Sequence, residues 1–441
     1  MGPEQTVTMG PIEVDRATGR SLVMSQQAVW HPHRTSTAPA HRQHRSSRLL
    51  LLAAVLLALP LSACAGQLTS APIQATQEVT VKATALTAEQ VTSLEADANT
   101  GPDMEFPTLP TENSTITVLI NWQKNHRTPV GTTLVSRNRS DGALKWAVTI
   151  TPPGASSNAL ENADAPQHNV SDLMTSQTSG EIVVSPDGRR VSLILTPHHG
   201  QLEERLAEQE SYVVVLDATS GAVVRTEELN GVILGQGLTN GSLAVETAND
   251  YFPGGTGEGQ VHVFGLDDPS APPSSFATDQ WLAGAGTDSL LLSPQPPSPY
   301  GPESNSGAST VTQVDTSGKV RATIKGVEAV HPGGWVTQVS DPAAVNASAN
   351  HAATGKKEKP ASLNAALQGL TRQVVNVSTG SSVDVTGTIV EDLGVPTGPG
   401  LVVGRTSTDA SGETTYTPLF WLSSADDGHP HTENLEQFTS K

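Results

Sequence analysis

The chain has 441 residues, of which 44 are acidic and 25 basic, and its formal net charge at neutral pH is −19. A negative field of this size repels phosphate backbones and anionic headgroups, so nucleic acid is not expected as a partner. The chain has a single cysteine, which excludes a disulfide within one chain.

An export signal is predicted at the N-terminus. Basic residues between His41 and Arg48 directly precede the apolar run 49–59, which is the order of a signal-peptide n-region and h-region. The run is far shorter than the roughly 20 residues that a membrane-spanning helix needs. We therefore predict that residues 1–63 are a signal peptide with an extended n-region.

The four residues Leu61, Ser62, Ala63 and Cys64 follow the apolar run and resemble the bacterial lipobox. In lipoproteins of that kind the cysteine thiol receives diacylglycerol and a signal peptidase cleaves the chain before the cysteine. The resemblance implies a lipoprotein held at the outer side of a cell membrane by acyl chains on Cys64, such as palmitate. The alternative for Cys64 is a small buried thiol.

The predicted mature chain, which starts at residue 64, has 19 basic and 41 acidic residues and a net charge of −22. A surface with this charge favours solubility. Lysine is scarce beside arginine, whereas Ala, Thr, Gly and Pro are abundant, a composition typical of GC-rich genomes such as those of actinobacteria.

A flexible tether is predicted for residues 64–110, because this stretch is rich in Thr, Ala, Gln, Glu and Pro and has few large apolar residues. A flexible chain of this length has a root-mean-square reach of roughly 35 to 40 Å. Within it, residues 78–84 alternate between apolar and polar and form a candidate strand.

Residues 111–441 consist of short alternating runs of Val, Leu, Ile and Thr that end in Gly-containing turns, the signature of strands and hairpins. Helices are predicted only at 201–210 and 362–370. The segment 340–360, rich in Ala and Asn, is predicted to be a disordered excursion.

A turn of the type Asp/Ser/Thr-Gly recurs between the runs, at a spacing of about 48 residues in three of five intervals. A period of 40 to 50 residues in an all-β chain predicts a β-propeller. We predict six blades of four antiparallel strands, with seven blades as the alternative. The clearest blade has strands at 232–239, 241–247, 260–266 and 274–278.

The first repeat, residues 114–150, has only three recognisable strands. We expect the missing strand to come from 434–441 or from the segment near residue 78, which would close the ring by joining the two chain ends. Closure removes the unpaired strand edges of an open fan of sheets, and such edges promote aggregation.

Two motifs resemble known propeller families. The motif SDGALKW at Ser140 is similar to repeats of pyrroloquinoline-quinone type propellers, and SPDGRR at Ser185 is similar to TolB or YVTN type repeats. The resemblance implies propeller blades. No quinone cofactor is carried over, because the tryptophan of the first motif occurs in one repeat alone.

In a four-stranded meander the first and third turns lie at one end of the blade, and the other connections lie at the opposite end. We name these the short-turn end and the long-connection end. The long connections are 123–131, 151–179, 197–210, 249–259, 294–309, 340–371 and 406–416. Elaborated ends of repeat proteins often bind ligands, although this end could also simply tolerate insertions.

Candidate binding residues at the long-connection end are His198, His199, Asp250, Tyr251 and Tyr300, of types enriched at contact sites. Metal binding by the histidine pair is not predicted, because the sequence places no third ligand beside it. The sequence has none of the common catalytic motifs, which neither predicts nor excludes an enzyme.

The leading hypothesis is a membrane-anchored extracytoplasmic lipoprotein whose propeller binds or scaffolds a protein or a cell-envelope ligand. A rival hypothesis is an extracellular hydrolase or lyase with carboxylates in the central channel. A third is an accessory or sensor subunit of a membrane complex. No cofactor is expected in any of them.

Overall fold

The structure is a computed structural model. It describes residues 81–98, 108–122, 129–151, 182–195, 210–248, 259–295, 307–353, 360–408, 414–425 and 428–438. These residues all belong to one compact unit, Ala75–Lys441. The predicted signal peptide, the lipobox and Cys64 lie outside them. Within the ranges given, the helices are too short or too polar to cross a membrane.

The first three sheets are antiparallel and consist of consecutive strands, apart from one added strand in the first sheet. The first sheet contains β1 (Lys82–Ala85), β2 (Thr108–Pro110), β3 (Ser114–Trp122), β4 (Pro129–Asn138) and β5 (Leu144–Thr151). The second contains β6 (Ile182–Val184), β7 (Arg190–Leu195), β8 (Glu210–Asp217) and β9 (Val223–Asn230). The third contains β10 (Val232–Leu238), β11 (Ser242–Ala248), β12 (Gly259–Gly265) and β13 (Ser274–Thr278).

The fourth and fifth sheets share one long strand. They contain β14 (Trp281–Ala285), β15 (Leu290–Ser293), β16 (Ser309–Val314), β17 (Val320–His331), β18 (Trp335–Val339), β19 (Arg372–Asn376) and β20 (Ser382–Asp384). Strand β17 pairs with β16 up to Val327 and with β18 from Val327 onward. We assign its first part to the fourth sheet and its second part to the fifth.

The sixth sheet contains β21 (Ile389–Glu391), β22 (Gly400–Thr408) and β23 (Thr414–Ser423). A single bridge between Trp421 and His431, with both backbone N–H···O bonds at 2.9 Å, takes the place of a fourth strand. After it, a 3₁₀ turn at Leu435–Phe438 packs against Val395 and Trp421.

Successive sheets pack face to face through buried apolar side chains, and successive residues of β8 contribute in turn to the two neighbouring boundaries. Residues of adjoining sheets that share one buried cluster include Leu134 and Val214, Val213 and Leu243, Val261 and Leu290, Leu291 and Val336, and Trp335 and Leu422. Consecutive four-stranded meanders packed in this way are consistent with a β-propeller. The strands of the third sheet confirm the predicted strands within two residues.

The first sheet has two strands beyond the predicted three, and one of the two expected sources, the segment near residue 78, supplies one of them as β1. Its innermost strand is β2, which pairs with β3 and is followed by the tight turn 111–113. Strand β1 lies near the predicted segment, but it pairs with β5 at the outer edge and adds a fifth strand. No strand joins the first sheet to the sixth in the described part of the chain.

Three helices also test the predictions. Helix α1 (Ala88–Ala98) buries Val91 against Leu119 and Val135, so the predicted flexible tether 64–110 is too long. Helix α2 (Pro342–Ala353) occupies much of the segment predicted to be disordered. Helix α3 (Ala361–Gln368) confirms the predicted helix at 362–370. The other predicted helix lies almost wholly outside the described residues.

The two wrong predictions share a physical cause. Average composition hides a short helix that is capped and docked. In α1, the Thr87 backbone N–H donates to Gln90 Oε1 at 2.8 Å and the Gln90 N–H donates to Thr87 Oγ1 at 3.3 Å, a reciprocal capping box. Two apolar residues of the helix, Val91 and Leu94, then pack on the first sheet.

Candidate functional site

The predicted binding residues His198, His199, Asp250, Tyr251 and Tyr300 all lie outside the described residues. Their grouping into one site therefore stays a prediction. The long-connection end is nevertheless represented by the connection between β18 and β19, which contains helices α2 and α3.

Helix α2 is fixed in place by side-chain hydrogen bonds. The Ala308 backbone N–H donates to Asn346 Oδ1 at 2.6 Å, and Asn346 Nδ2 donates to Ala308 O at 3.1 Å. Asp341 Oδ1 accepts from the Ala344 N–H at 3.0 Å and caps the helix. The insertion of the fifth sheet is thus tied to the fourth sheet. Helix α3, whose side chains are exposed or half-buried, is presented beside it.

The short-turn end is occupied by hydrogen bonds between turns of neighbouring sheets. They are Glu112 N–H to Gly188 O at 3.3 Å, Asp187 N–H to Asn240 Oδ1 at 3.1 Å, Asn240 N–H to Thr287 O at 3.0 Å, and Thr287 N–H to Ser378 Oγ at 2.9 Å. These contacts use the polar groups of the turns to join sheets. The two ends of the ring therefore differ in construction.

The SDGALKW motif docks the first sheet onto the second. Trp146 Nε1 donates to Ala218 O at 3.0 Å. A Cβ at Gly221, which has a φ of +72°, would lie 2.6 Å from the indole ring. The tryptophan therefore lies flush against the turn of the next sheet, and this turn requires glycine both for its backbone conformation and for its close contact.

The same position is filled by other residue types in the next two sheets, which the sequence analysis missed. Arg225 Nη1 donates to Gly265 O at 2.7 Å. A Cβ at Gly318 would lie 2.5 Å from the Phe276 ring. Like Trp146, Arg225 and Phe276 are the third residues of the last strand in their four-stranded meanders, which we call the outer strand. Because these three residues share a position but not a residue type, no sequence motif identifies them.

A polar cluster joins the fifth and sixth sheets at their inner strands. His331 Nδ1 lies 2.6 Å from Asp392 Oδ1, and His331 Nε2 lies 2.7 Å from Thr337 Oγ1. In the neutral imidazole, Nδ1–H donates to the carboxylate and Nε2 accepts from the threonine hydroxyl. This order of carboxylate, imidazole and hydroxyl is that of a nucleophile with its base and orienting group.

Burial argues against nucleophilic chemistry at this cluster. Thr337 is 8 % exposed and lies in the middle of β18, paired with both β17 and β19. A polymer chain has no approach to a hydroxyl in that position. The arrangement serves instead to satisfy a buried histidine between two sheets. No sequence pattern predicts this cluster, because Asp392 lies 61 residues from His331.

A second buried titratable group lies between the third and fourth sheets. Glu246 is fully buried, and its Oε2 accepts from the Leu282 backbone N–H at 2.7 Å. Its Oε1 finds no hydrogen-bond partner in the described part of the chain. Gly259 provides the space, since a Cβ there would lie 2.3 Å from Oε1. Burial raises the pKa of Glu246 to about 7.

None of these groups forms a metal centre. Within the described ranges, the side chains of His, Cys, Asp and Glu do not assemble in groups of three or more that could hold an ion. The carboxyl of Glu246 and the His331 cluster lie at different boundaries, and each is a joint between sheets.

No family model matches the chain, and no curated protein matches it either. Among solved structures, the propeller domain of the Trilobed protease from Pyrococcus furiosus is 11 % identical, with a TM-score of 0.37 over 72 % of this chain and 84 % of that one. BamB from Moraxella catarrhalis is 8 % identical, with a TM-score of 0.29 over 74 % and 86 %.

An acylaminoacyl peptidase from Pyrococcus horikoshii is 11 % identical, with a TM-score of 0.35 over 72 % of this chain and 49 % of that one. The chain therefore spans about half the length of that peptidase. At these TM-scores the similarities carry no argument about function.

Proposed function

We propose that the chain is a membrane-anchored extracytoplasmic lipoprotein whose six-bladed propeller is a binding or scaffold module for a protein or a cell-envelope ligand. The observation that carries the proposal is the difference between the two ends of the ring. Turn-to-turn hydrogen bonds occupy the short-turn end, whereas the long-connection end holds the anchored insertion of α2 and α3.

Six blades are supported by the division of the described strands into six packed meanders, with β17 shared and His431 completing the last sheet. A binding role is supported by the local chemistry. Hydrogen bonds of His331 and Glu246 join neighbouring sheets, whereas the insertion is anchored through Asn346 and keeps exposed residues on α3. A rigid element presents a surface at low entropic cost of binding.

Cross-linking in intact cells would test which end binds. Arginine substitutions at the exposed Ser362 and Ala365 of α3 should abolish the captured complex, because they place charge on the proposed contact surface. The matched control carries arginine at Val223 and Val320, which are exposed at the short-turn end, and should retain the complex. Loss in the control alone, or capture by both variants, would refute the assignment of the binding end.

The membrane anchor has a separate test. Cys64→Ser should remove the only thiol that can take diacylglycerol, so that metabolic labelling with a fatty acid and cleavage before residue 64 are both lost. A Ser62→Thr variant, which keeps the cysteine, is the control and should still be labelled. A Cys64→Ser protein that is still cleaved there and retained at the membrane contradicts the anchor.

A further inference from the structure

The ring has one boundary that differs from the others. We call it the seam, the boundary between the first sheet (β1–β5) and the sixth (β21–β23). Each of the other five boundaries contains a cluster of buried apolar residues contributed by both adjoining sheets. At the seam, no cluster of the described residues includes members of both sheets.

The two faces at the seam are covered by different terminal segments. On the first sheet, Leu119, Val135 and Ala147 are covered by α1 through Val91. The helix stays with this sheet, because Arg137 Nη2 lies 2.9 Å from both carboxylate oxygens of Glu95.

On the sixth sheet, Val402 and Trp421 are covered by Leu435 and Phe438 of the C-terminal 3₁₀ turn. Each face at the seam is therefore buried by a segment from its own end of the chain. Burial of these apolar faces does not by itself hold the two sheets together, since neither cluster crosses the boundary.

Direct contacts across the seam are concentrated at the short-turn end. Arg139 Nη1 donates to the Val395 carbonyl of the sixth sheet, and its Nη2 donates to Thr111 O at 3.0 Å within the first sheet. Gly398 comes close to Thr111 and Gly188, since a Cβ there would lie 3.4 Å from Gly188 Cα. One guanidinium group thus bridges a turn of the first sheet and the β21–β22 turn of the sixth.

The free-energy cost of opening differs between these two kinds of boundary. Separating two sheets that share an apolar cluster exposes that cluster to water. Separating the first and sixth sheets leaves each apolar face covered. It exchanges a few hydrogen bonds to carbonyls for hydrogen bonds to water, which costs little free energy. We propose that the ring opens at the seam, with Arg139 as the side chain that holds it shut.

Opening there gives the strands at the seam a lateral route to solvent. Neither α1 nor the C-terminal turn needs to unfold for this opening, because each packs on its own sheet. The device is independent of the proposed binding end, so that its failure would leave the proposed function untouched.

Amide hydrogen exchange followed by mass spectrometry tests the proposal on the full chain. In Arg139→Ala, peptides that contain residues 111–114 and 395–398 should exchange at least tenfold faster, while peptides from β11 and β12 keep their wild-type rates. The matched control is Arg225→Ala. Arg225 also donates to carbonyls across a boundary, but that boundary has an apolar cluster, so its peptides should change less than threefold.

An equal or larger opening in Arg225→Ala, or no change in Arg139→Ala, would overturn the proposal. If Arg139→Ala does not fold, hydrogen exchange of the wild-type protein still tests the proposal. At low denaturant concentration, the amides of β2 and β21 should exchange before those of β10 and β14. Exchange of all four strands at one rate would also overturn it.

Discussion

The first three sheets and the fourth contact their successors in different ways. In the first three, a side chain third in the outer strand, Trp146, Arg225 or Phe276, contacts the turn of the next sheet. In the fourth, Ala322 stands at that position, and the turn glycine of the fifth sheet, Gly380, has open space beside it. The fourth and fifth sheets are joined instead by β17, and the fifth and sixth by His331.

The comparison shows that a boundary between sheets can be built at its outer strands or at its inner ones. Contacts of the outer strand depend on contact area, and Trp, Phe or Arg can make them. Arg can do so because it combines an aliphatic stem with hydrogen-bond donors. Inner joints depend on specific hydrogen-bond partners, as at His331. The predictions below separate these two kinds of boundary, from the largest expected effect to the smallest.

The turn glycines give the largest expected difference. Gly221 and Gly380 have φ values of +72° and +73°, so alanine costs about 1 kcal/mol at either site for the left-handed backbone. At Gly221 the new methyl also collides with Trp146, which adds about 2 kcal/mol of overpacking. Urea denaturation should therefore show a loss of about 3 kcal/mol in Gly221→Ala and about 1 kcal/mol in Gly380→Ala. Equal losses would mean that the outer contact is not tightly packed.

The buried carboxyl between the third and fourth sheets predicts a pH effect of nearly the same size. The pKa of Glu246 is about 7 in the folded chain and 4.5 as the ordinary value. The folded state holds the proton more tightly than the unfolded state does. The contribution of Glu246 to the free energy of unfolding is therefore fully present below pH 4.5 and is lost as the pH rises through 7. At 1.36 kcal/mol for each pKa unit, the loss at alkaline pH is about 3 kcal/mol.

Glu246→Gln should remove this loss, since a glutamine does not ionise. The difference in unfolding free energy between the wild type and this variant should change by about 3 kcal/mol between pH 5 and pH 9. The difference isolates Glu246, because all other titrating groups are common to both proteins. A constant difference over this range would show that the carboxyl is ionised or solvated in the folded state.

The inner joint of the fifth and sixth sheets predicts the smallest effect. Asp392→Ala and Thr337→Val each remove one partner of His331 and should each cost about 1 kcal/mol. Asp392 is 44 % exposed, so water replaces part of the lost contact. Because both bonds act on one imidazole, the double variant should cost less than the sum of the two by about 0.5 kcal/mol. Strict additivity would show that the histidine does not couple them.

Strand positions could be predicted from the sequence, because Asp-Gly and Ser-Gly turns mark strand ends and alternation marks the faces. The strand run from Val232 to Thr278 shows this within two residues. The joints could not be predicted. Glu246 stands in an ordinary alternating run, where a polar residue is read as solvent-facing, and His331 meets Asp392 only through the packing of two sheets.

Two short elements, β2 and α1, were also beyond prediction. Strand β2 has three residues and no alternation to detect, and it forms because β3 offers its inner edge. Helix α1 gains its stability from docking on the first sheet, since an isolated helix of 11 residues is marginal in water. The candidate binding residues follow from residue type and position in the long connections, and their grouping into one site stays a prediction.

Strand β17 has a consequence for how the molecule unfolds. With no turn between its two halves, the fourth and fifth sheets cannot separate without breaking a continuous backbone ladder on both sides of Val327. These two sheets should therefore unfold together as one cooperative unit. The other sheets are linked by connections and can unfold one at a time.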